Sequence, residues 1–413
     1  MAATIRDRTT TDGGTTQGPF LTRLGGHLPA LDGVRGVAIL LVVLLHFRDY
    51  TTRSATLDDR IFLWLASGGW MGVDLFFVLS GFLITGILLD AKGAPHYFKN
   101  FYMRRALRIF PLYYAVLALH ILALPLVEPA GSPELRTLLE RQGWYWGYLT
   151  NVFGALYPSG AEVYGLGHFW SLAIEEQFYL VWPLVIWLTP ARRVQAVCLG
   201  AVAVSLGLRI WLNAAGAHPM VAYMLTPAHM DGLALGGLVA VEIRKPRGRA
   251  LIAASWKPAV AIAGVFLLYL VYRTGSLRWE PPIPNVVIFA ALSLLFAGVV
   301  GATVVAEPGT VFQRVFGNPV LRSFGKYSYA IYVFHNPIAY WMHRAGFSVA
   351  DLPTVGGSHL PARLLYILLG TTLSYAVAVA SWHLLEKRFL ALKDRFPYGR
   401  MRPARPPSTM PVP

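Results

Sequence analysis

The sequence predicts an all-α integral membrane protein, about ten transmembrane helices in one bundle, and three observations predict it. Of its 413 residues, 55% are hydrophobic and only 14% are charged, where soluble domains hold roughly 25% charged residues. Mean hydropathy is +0.50. Apolar stretches approaching the roughly 20 residues that cross the hydrocarbon recur from near residue 31 to near residue 385. The missing charge points to lipid as the solvent, and no stretch remains for a separate soluble core.

Taken in order, the spans fall at about 31–48, 68–90, 109–127, 169–189, 195–214, 221–242, 258–272, 285–306, 327–345 and 363–385, the seventh being the shortest. An even number returns the chain to its starting side. With the amino terminus in the cytoplasm, the inner segments hold Arg6, Arg8 and Arg23, then Lys92 to Arg108, Arg192 and Arg193, Arg244 to Lys257, Arg314 to Lys326, and Lys387 to Arg405. That is about 25 Lys and Arg inside against about 8 outside, the bias of the positive-inside rule. A multi-pass protein of the plasma (inner) membrane with both termini cytoplasmic is expected. The net charge of +15 is explained by this topology and not by nucleic acid, because the basic residues lie between spans and not along one surface.

Cys198 is the only cysteine and lies in an apolar run, so neither a disulfide framework nor a thiolate metal site is expected. Residues 1–29, rich in Thr and Gly, read as a disordered cytoplasmic tail, 30–389 as the transmembrane domain, and 390–413 as a basic, Pro-rich cytoplasmic tail. The outer loop from Glu128 to His168 carries Trp144, Tyr145, Trp146 and Tyr148 and reads as an interfacial aromatic belt.

Ionisable groups inside spans cost roughly 2.5–3.5 kcal/mol each and need a partner, a cavity or a function. The first span holds Asp32, Arg35 and His46. Eleven helical steps leave Arg35 and His46 within about 20° of one face and roughly 16 Å apart along the axis. A neutral imidazole can take a proton from an attacking hydroxyl, and a guanidinium can hold a phosphate or a carbonyl oxygen. Equally, Arg35 can pair with Asp32 and His46 can cap the outer interface.

Arg104, Arg105 and Arg108 precede the third span, with Arg104 and Arg108 on one face at i and i+4. Cations at a helix amino terminus oppose its dipole, which leaves membrane anchoring or a phosphate site as their use. The fourth span opens with the adjacent acids Glu175 and Glu176. Their side chains diverge by about 100°, so one of them is expected to face a given site. Asp74, Asp231 and His335 each read as a satisfied packing polar residue, and Ser80-Gly81 as a close-packing pair.

The motifs in order are Leu31-Asp-Gly-Val-Arg-Gly, Gly72-Val-Asp-Leu-Phe-Phe-Val-Leu-Ser-Gly-Phe82, Arg104-Arg-Ala-Leu-Arg-Ile-Phe-Pro111, Phe169-Trp-Ser-Leu-Ala-Ile-Glu-Glu-Gln-Phe-Tyr179 and Ser328-Tyr-Ala-Ile-Tyr-Val-Phe-His335, with Glu386-Lys-Arg-Phe389 last. Together they resemble the acyltransferase 3 family of membrane-bound O-acyltransferases. The resemblance implies a ten-helix domain that takes acyl groups, acetyl or another short chain, from cytoplasmic acyl-coenzyme A without a bound cofactor. The acceptor it implies is a hydroxyl of a surface glycan, a lipid-linked sugar or a similar polar molecule. The family's Arg-x10-His motif falls on Arg35 and His46. Under this reading His46 is the general base, Arg35 binds the donor or steadies negative charge, and Arg104, Arg105 and Arg108 draw in coenzyme A phosphates. Glu175 and Glu176 then orient the histidine or the acceptor. Some members continue into an esterase-like domain. This chain reads as the stand-alone form, any such domain being a separate partner protein.

The alternative is a transporter or flippase of a lipid-linked glycan, which also needs buried charge but consumes no acyl donor. Reporter fusions at each terminus test the topology. Both should report the cytoplasm, and an external signal from either would defeat the ten-span arrangement.

Overall fold

Glycine brings several pairs of helices in this protein to backbone contact. The computed structural model describes residues 28–48, 52, 56–129, 132–158, 163–276, 282–307 and 309–398, and no strand occurs among them. Most of the two expected tails, including Arg6, Arg8, Arg23 and Arg405, lies outside the described residues. In chain order the helices are α1 (Pro29–His46), α2 (Leu57–Ser67), α3 (Met71–Ala91), α4 (Tyr97–Val127), α5 (Pro133–Trp146), α6 (Thr150–Leu156), α7 (Phe169–Leu188) and α8 (Val194–Ala214). They continue as α9 (Pro219–Met224), α10 (Met230–Glu242), α11 (Gly248–Thr274), α12 (Pro282–Val305), α13 (Val311–Phe316), α14 (Pro319–Arg344), α15 (Leu360–Ser381) and α16 (Lys387–Ala391).

The all-α membrane fold is as expected, but among the described residues seven helices are long and apolar enough to cross a membrane. They do not include α7, α10 or α14. The expected sixth span is broken: α9 ends at Met224, Thr226–His229 form a 3-10 turn around Pro227, and α10 has only 13 residues. The third span starts earlier than its apolar run, because α4 begins at Tyr97. Arg104, Arg105 and Arg108 are therefore inside a continuous helix, and the dipole argument against them does not apply. Beyond Phe389 the chain still folds: Lys393 O and Phe396 O accept from Arg104, and Pro397 O accepts from Asn100.

Helices α1 and α14 form the most extensive pairing in the protein. A Cβ added at Gly36 would lie 2.0 Å from Leu321 O, and one at Gly325 would lie 1.7 Å from Asp32 O. Only glycine allows that approach, which is how small residues drive helix association in lipid. The same device joins α3 to α10, where Gly81 faces Leu233 O and Gly236 faces Val78 O. Gly81 thus has the packing role its sequence context suggested.

Two fully buried arginines are paired. Arg209 is fully buried and donates to Asp231 at 2.6 Å, with Ser205 Oγ, Ala228 O and Val286 O completing its fork. Asp231 is therefore a satisfied packing residue, as expected. Arg363, also fully buried, holds Asp59 and Thr52 and so fixes the chain after α1 against α15. Just past α3, Lys92 donates to Ile186 O at 2.6 Å and to Thr189 O at the end of α7, and burial pulls its ammonium below the usual value. The aromatic loop is only half a belt. Tyr145 and Tyr148 are buried against Tyr113, whose ring stacks on Tyr148 at 4.1 Å, while Trp146 is 39% exposed.

Replacing Gly36 by Ala should force α1 and α14 apart and cost on the order of 1–3 kcal/mol, as overpacking does. Gly200 on α8 has no neighbour within 4 Å of an added Cβ, so Gly200→Ala should be neutral or mildly stabilising. Thermal unfolding of both variants in detergent tests this, and equal melting temperatures would refute the close-contact account.

Candidate active site

The two ends of the Arg35–His46 motif line different cavities within the bundle. The first is lined by Arg35 from α1, Arg105 and Arg108 from α4, Glu175, Glu176 and Tyr179 from α7, and Tyr329 and Tyr332 from α14, with Ser80 from α3. The second is lined by His46, His168, Trp70, Trp170, Tyr223 and Met220, among others. Val73 and Tyr332 line both. The stripe joining Arg35 to His46 along α1 therefore runs past a shared wall made of one valine and one tyrosine.

In the first cavity three guanidinium groups meet two carboxyl groups, so its lining offers charged hydrogen-bond donors and acceptors together. Arg105 Nε and Glu176 Oε1 are buried with no hydrogen-bond partner among the described residues, and unsatisfied buried polar atoms are what a ligand would satisfy. Both glutamates line this cavity, although their divergence had suggested that only one would. Ser80 Oγ and Tyr179 OH are 2.6 Å apart. Arg35 keeps a 3.0 Å bond to Asp32 while lining the cavity, so the pairing and the binding readings describe the same side chain. Arg104 is not among the lining residues. It bonds the carbonyls of Lys393 and Phe396, and its guanidinium lies over the Tyr398 ring at 4.6 Å.

In the second cavity His46 ends α1 and turns its ring back along its own helix. Its Nδ1 lies 2.8 Å from Val42 O and 3.3 Å from His335 Nε2. His335 Nδ1 in turn lies 2.7 Å from Tyr332 O. A carbonyl oxygen only accepts, so Nδ1 carries the hydrogen in both neutral rings. His335 Nε2 then accepts from His46, and the basic lone pair of His46 is on Nε2. His168 completes the cluster, its ring centre 4.8 Å from that of His335 and 6.4 Å from that of His46.

Read singly, His335 was a packing residue; the structure sets it against His46. The signal was a polar stripe at helical spacing on α14, Ser328, Tyr332 and His335, matched by Ser171, Glu175 and Tyr179 on α7. Tyr332 OH joins the two, bonding Ser171 Oγ and donating to His168 O at 3.1 Å.

The acyltransferase domain family matches residues 28–383. The chain is 28% identical over 329 residues to the peptidoglycan O-acetyltransferase OatA of Listeria monocytogenes, covering 76% of this chain and 49% of that protein. A Staphylococcus aureus protein provisionally named an O-acetyltransferase is 27% identical over 77% of this chain and 51% of its own length. A Bacillus subtilis protein provisionally named a peptidoglycan O-acetyltransferase is 28% identical over 76% and 48%. The chain thus spans about half the length of the curated relatives it matches. No solved structure matches it.

If Arg35 holds an anionic donor by a forked hydrogen bond, Lys keeps the charge but loses the fork. Coenzyme A affinity should then fall about tenfold in Arg35→Lys and further in Arg35→Ala. Wild-type affinity in Arg35→Lys, together with rescue of Arg35→Ala by Asp32→Ala, would leave a structural ion pair only.

Proposed function

We propose, from the premise that this chain belongs to the acyltransferase 3 family, that it moves an acyl group, acetyl or another short chain, from cytoplasmic acyl-coenzyme A to a hydroxyl of an envelope glycan. The observation that carries this reading is the division of the Arg35–His46 helix face between a cation-lined cavity and a histidine-lined one that meet at Tyr332. The donor's phosphates engage Arg105, Arg108 and Arg35, and its acyl arm runs along α1 toward His46. Arg104 acts at one remove, anchoring the segment after α16 against α4. Glu175 and Glu176 balance the arginines and orient polar atoms of the donor.

The reaction is a direct transfer. His46 Nε2 takes the proton of the acceptor hydroxyl as that oxygen bonds to the thioester carbonyl carbon. The tetrahedral adduct collapses with cleavage of the carbon–sulfur bond, and the departing thiolate takes the proton from the imidazolium, giving an ester and a free thiol. His335 accepts from His46 Nδ1–H and so steadies the positive charge that develops on the ring. The protein is placed in the plasma membrane with both termini and the arginine cavity on the cytoplasmic side, in line with its loop charges. The names of its relatives make peptidoglycan a candidate acceptor.

Purified His46→Ala should remain folded and keep its affinity for coenzyme A, yet lose about 10²–10⁴-fold in acceptor-dependent release of free coenzyme A. Near-normal release by that variant would remove the base from the mechanism, and substrate movement without thiol release in the wild type would favour a flippase.

A further inference from the structure

We propose that α2 is an in-plane helix lying at the bilayer border, at the end of the bundle that holds His46, with the apolar stripe of Leu57, Ile61, Trp64 and Leu65 set into lipid. Its partner is the zone where headgroups meet acyl chains.

The apolar run from Leu57 to Ala91 is 35 residues long. As one helix it would reach about 52 Å, against a hydrocarbon core of about 30 Å. The chain does not keep it as one helix. Gly68–Trp70 is a 3-10 turn, with the 11 residues of α2 before it and the 21 residues of α3 after it. At 1.5 Å per residue α3 alone rises about 31 Å, so it uses the whole core and leaves none of that thickness for α2.

Both ends of α2 are tied to the ends of other helices. In its first turn Ser358 Oγ donates to Asp58 at 2.5 Å, His359 N–H donates to Asp59 at 3.1 Å, and Arg363 pairs with Asp59. In its last turn Trp64 Nε1–H donates to Gly275 O at 2.9 Å. One end is therefore fastened to the start of α15 and the other to the residue that follows α11, both of them membrane-crossing helices. Arg363 also donates to Arg48 O, just past the end of α1 at His46. Trp70, in the turn after α2, lines the cavity of His46. Thus α2 bridges neighbouring helix ends on the His46 side of the bundle.

Asp59 and Ala66 are the buried residues of α2. Leu57, Ile61, Trp64 and Leu65 recur at i, i+4, i+7 and i+8, one helical face directed away from that pair. All four are exposed, Leu57 at 64%. Next to each attachment the crossing helices expose more apolar surface, Leu268 and Tyr272 on α11 and Leu364 and Leu368 on α15. An apolar stripe of this size facing water would be an aggregation surface. Leucine, isoleucine and tryptophan on one face, with the exposed Arg60 at its edge, make up instead the pattern that settles into a bilayer interface. Tryptophan is the residue enriched at that level, where its ring is in lipid and its N–H is bonded.

The test uses the full-length protein in phosphatidylcholine nanodiscs, with spin labels on Leu57→Cys, Ile61→Cys, Leu65→Cys and Arg60→Cys, each made in the Cys198→Ala chain. Labels at the three apolar positions should collide several-fold more with oxygen, which concentrates in lipid, than with a water-soluble nickel chelate. The label replacing Arg60 should show the reverse balance. In the chain with its cysteine intact, the fluorescence lost on Trp64→Phe should be quenched more by lipids brominated near the headgroup than by lipids brominated near the chain ends. Nickel access at all four positions would place α2 in water. Exclusion of both reagents from the three apolar positions would mean that protein, such as a second copy, covers the stripe. Stronger quenching by the deep bromines would make α2 part of a spanning helix, and each of these three results would overturn the proposal.

Discussion

The close approach of α1 to α14 is the constraint on which the rest of the structure depends. Gly36 and Gly325 let the two backbones meet at a distance that a single methyl group would prevent. Only then do the last turn of α1 and the middle of α14 come within reach, placing His46 Nδ1 3.3 Å from His335 Nε2. The glycines of the Asp-Gly-Val-Arg-Gly run and the polar residues of the motif are thus one device. The glycines set the distance at which the polar residues act.

Lipid imposes the second constraint. With no water to satisfy polar atoms, each buried donor or acceptor must find a partner within the bundle, and most here do. Arg209 spends its fork on Asp231, Ser205, Ala228 and Val286, and Arg363 on Asp59, Arg48 and Thr52. Against that background, two residues that line the first cavity keep a buried atom without a hydrogen-bond partner among the described residues, Arg105 at Nε and Glu176 at Oε1.

Much of this was legible in the sequence, and what was not has identifiable causes. Helix content, the Arg35–His46 stripe and the role of Gly81 follow from composition and the 3.6-residue period, which are local properties. The break between α9 and α10 was missed because hydropathy averages across Pro227, and the early start of α4 because the arginines of its first turns hid a helix behind a polar run. The different fates of Arg104 and Arg105 could not be read from spacing. They are decided by the segment after α16, which lies nearly 300 residues away and covers Arg104. Likewise His168, His335 and His46 come from three helix boundaries or interiors remote in the chain. A residue judged one at a time as a packing polar group gains its chemistry only from a neighbour that tertiary structure supplies.

The two cavities differ in chemistry. A site rich in guanidinium groups stabilises an anion, and it would hold the oxygens of an uncharged sugar less selectively. A cavity lined by tryptophan, tyrosine and imidazole rings does the reverse. Both environments lie along one helix face, with Tyr332 and Val73 lining the two of them. Tyr332 is itself held by Ser171 and by the carbonyl of His168. The wall between the cavities is therefore fastened to the helix that supplies Glu175 to one cavity and to the residue that presents an imidazole to the other. Movement of α7 relative to α14 would therefore alter both cavities at once.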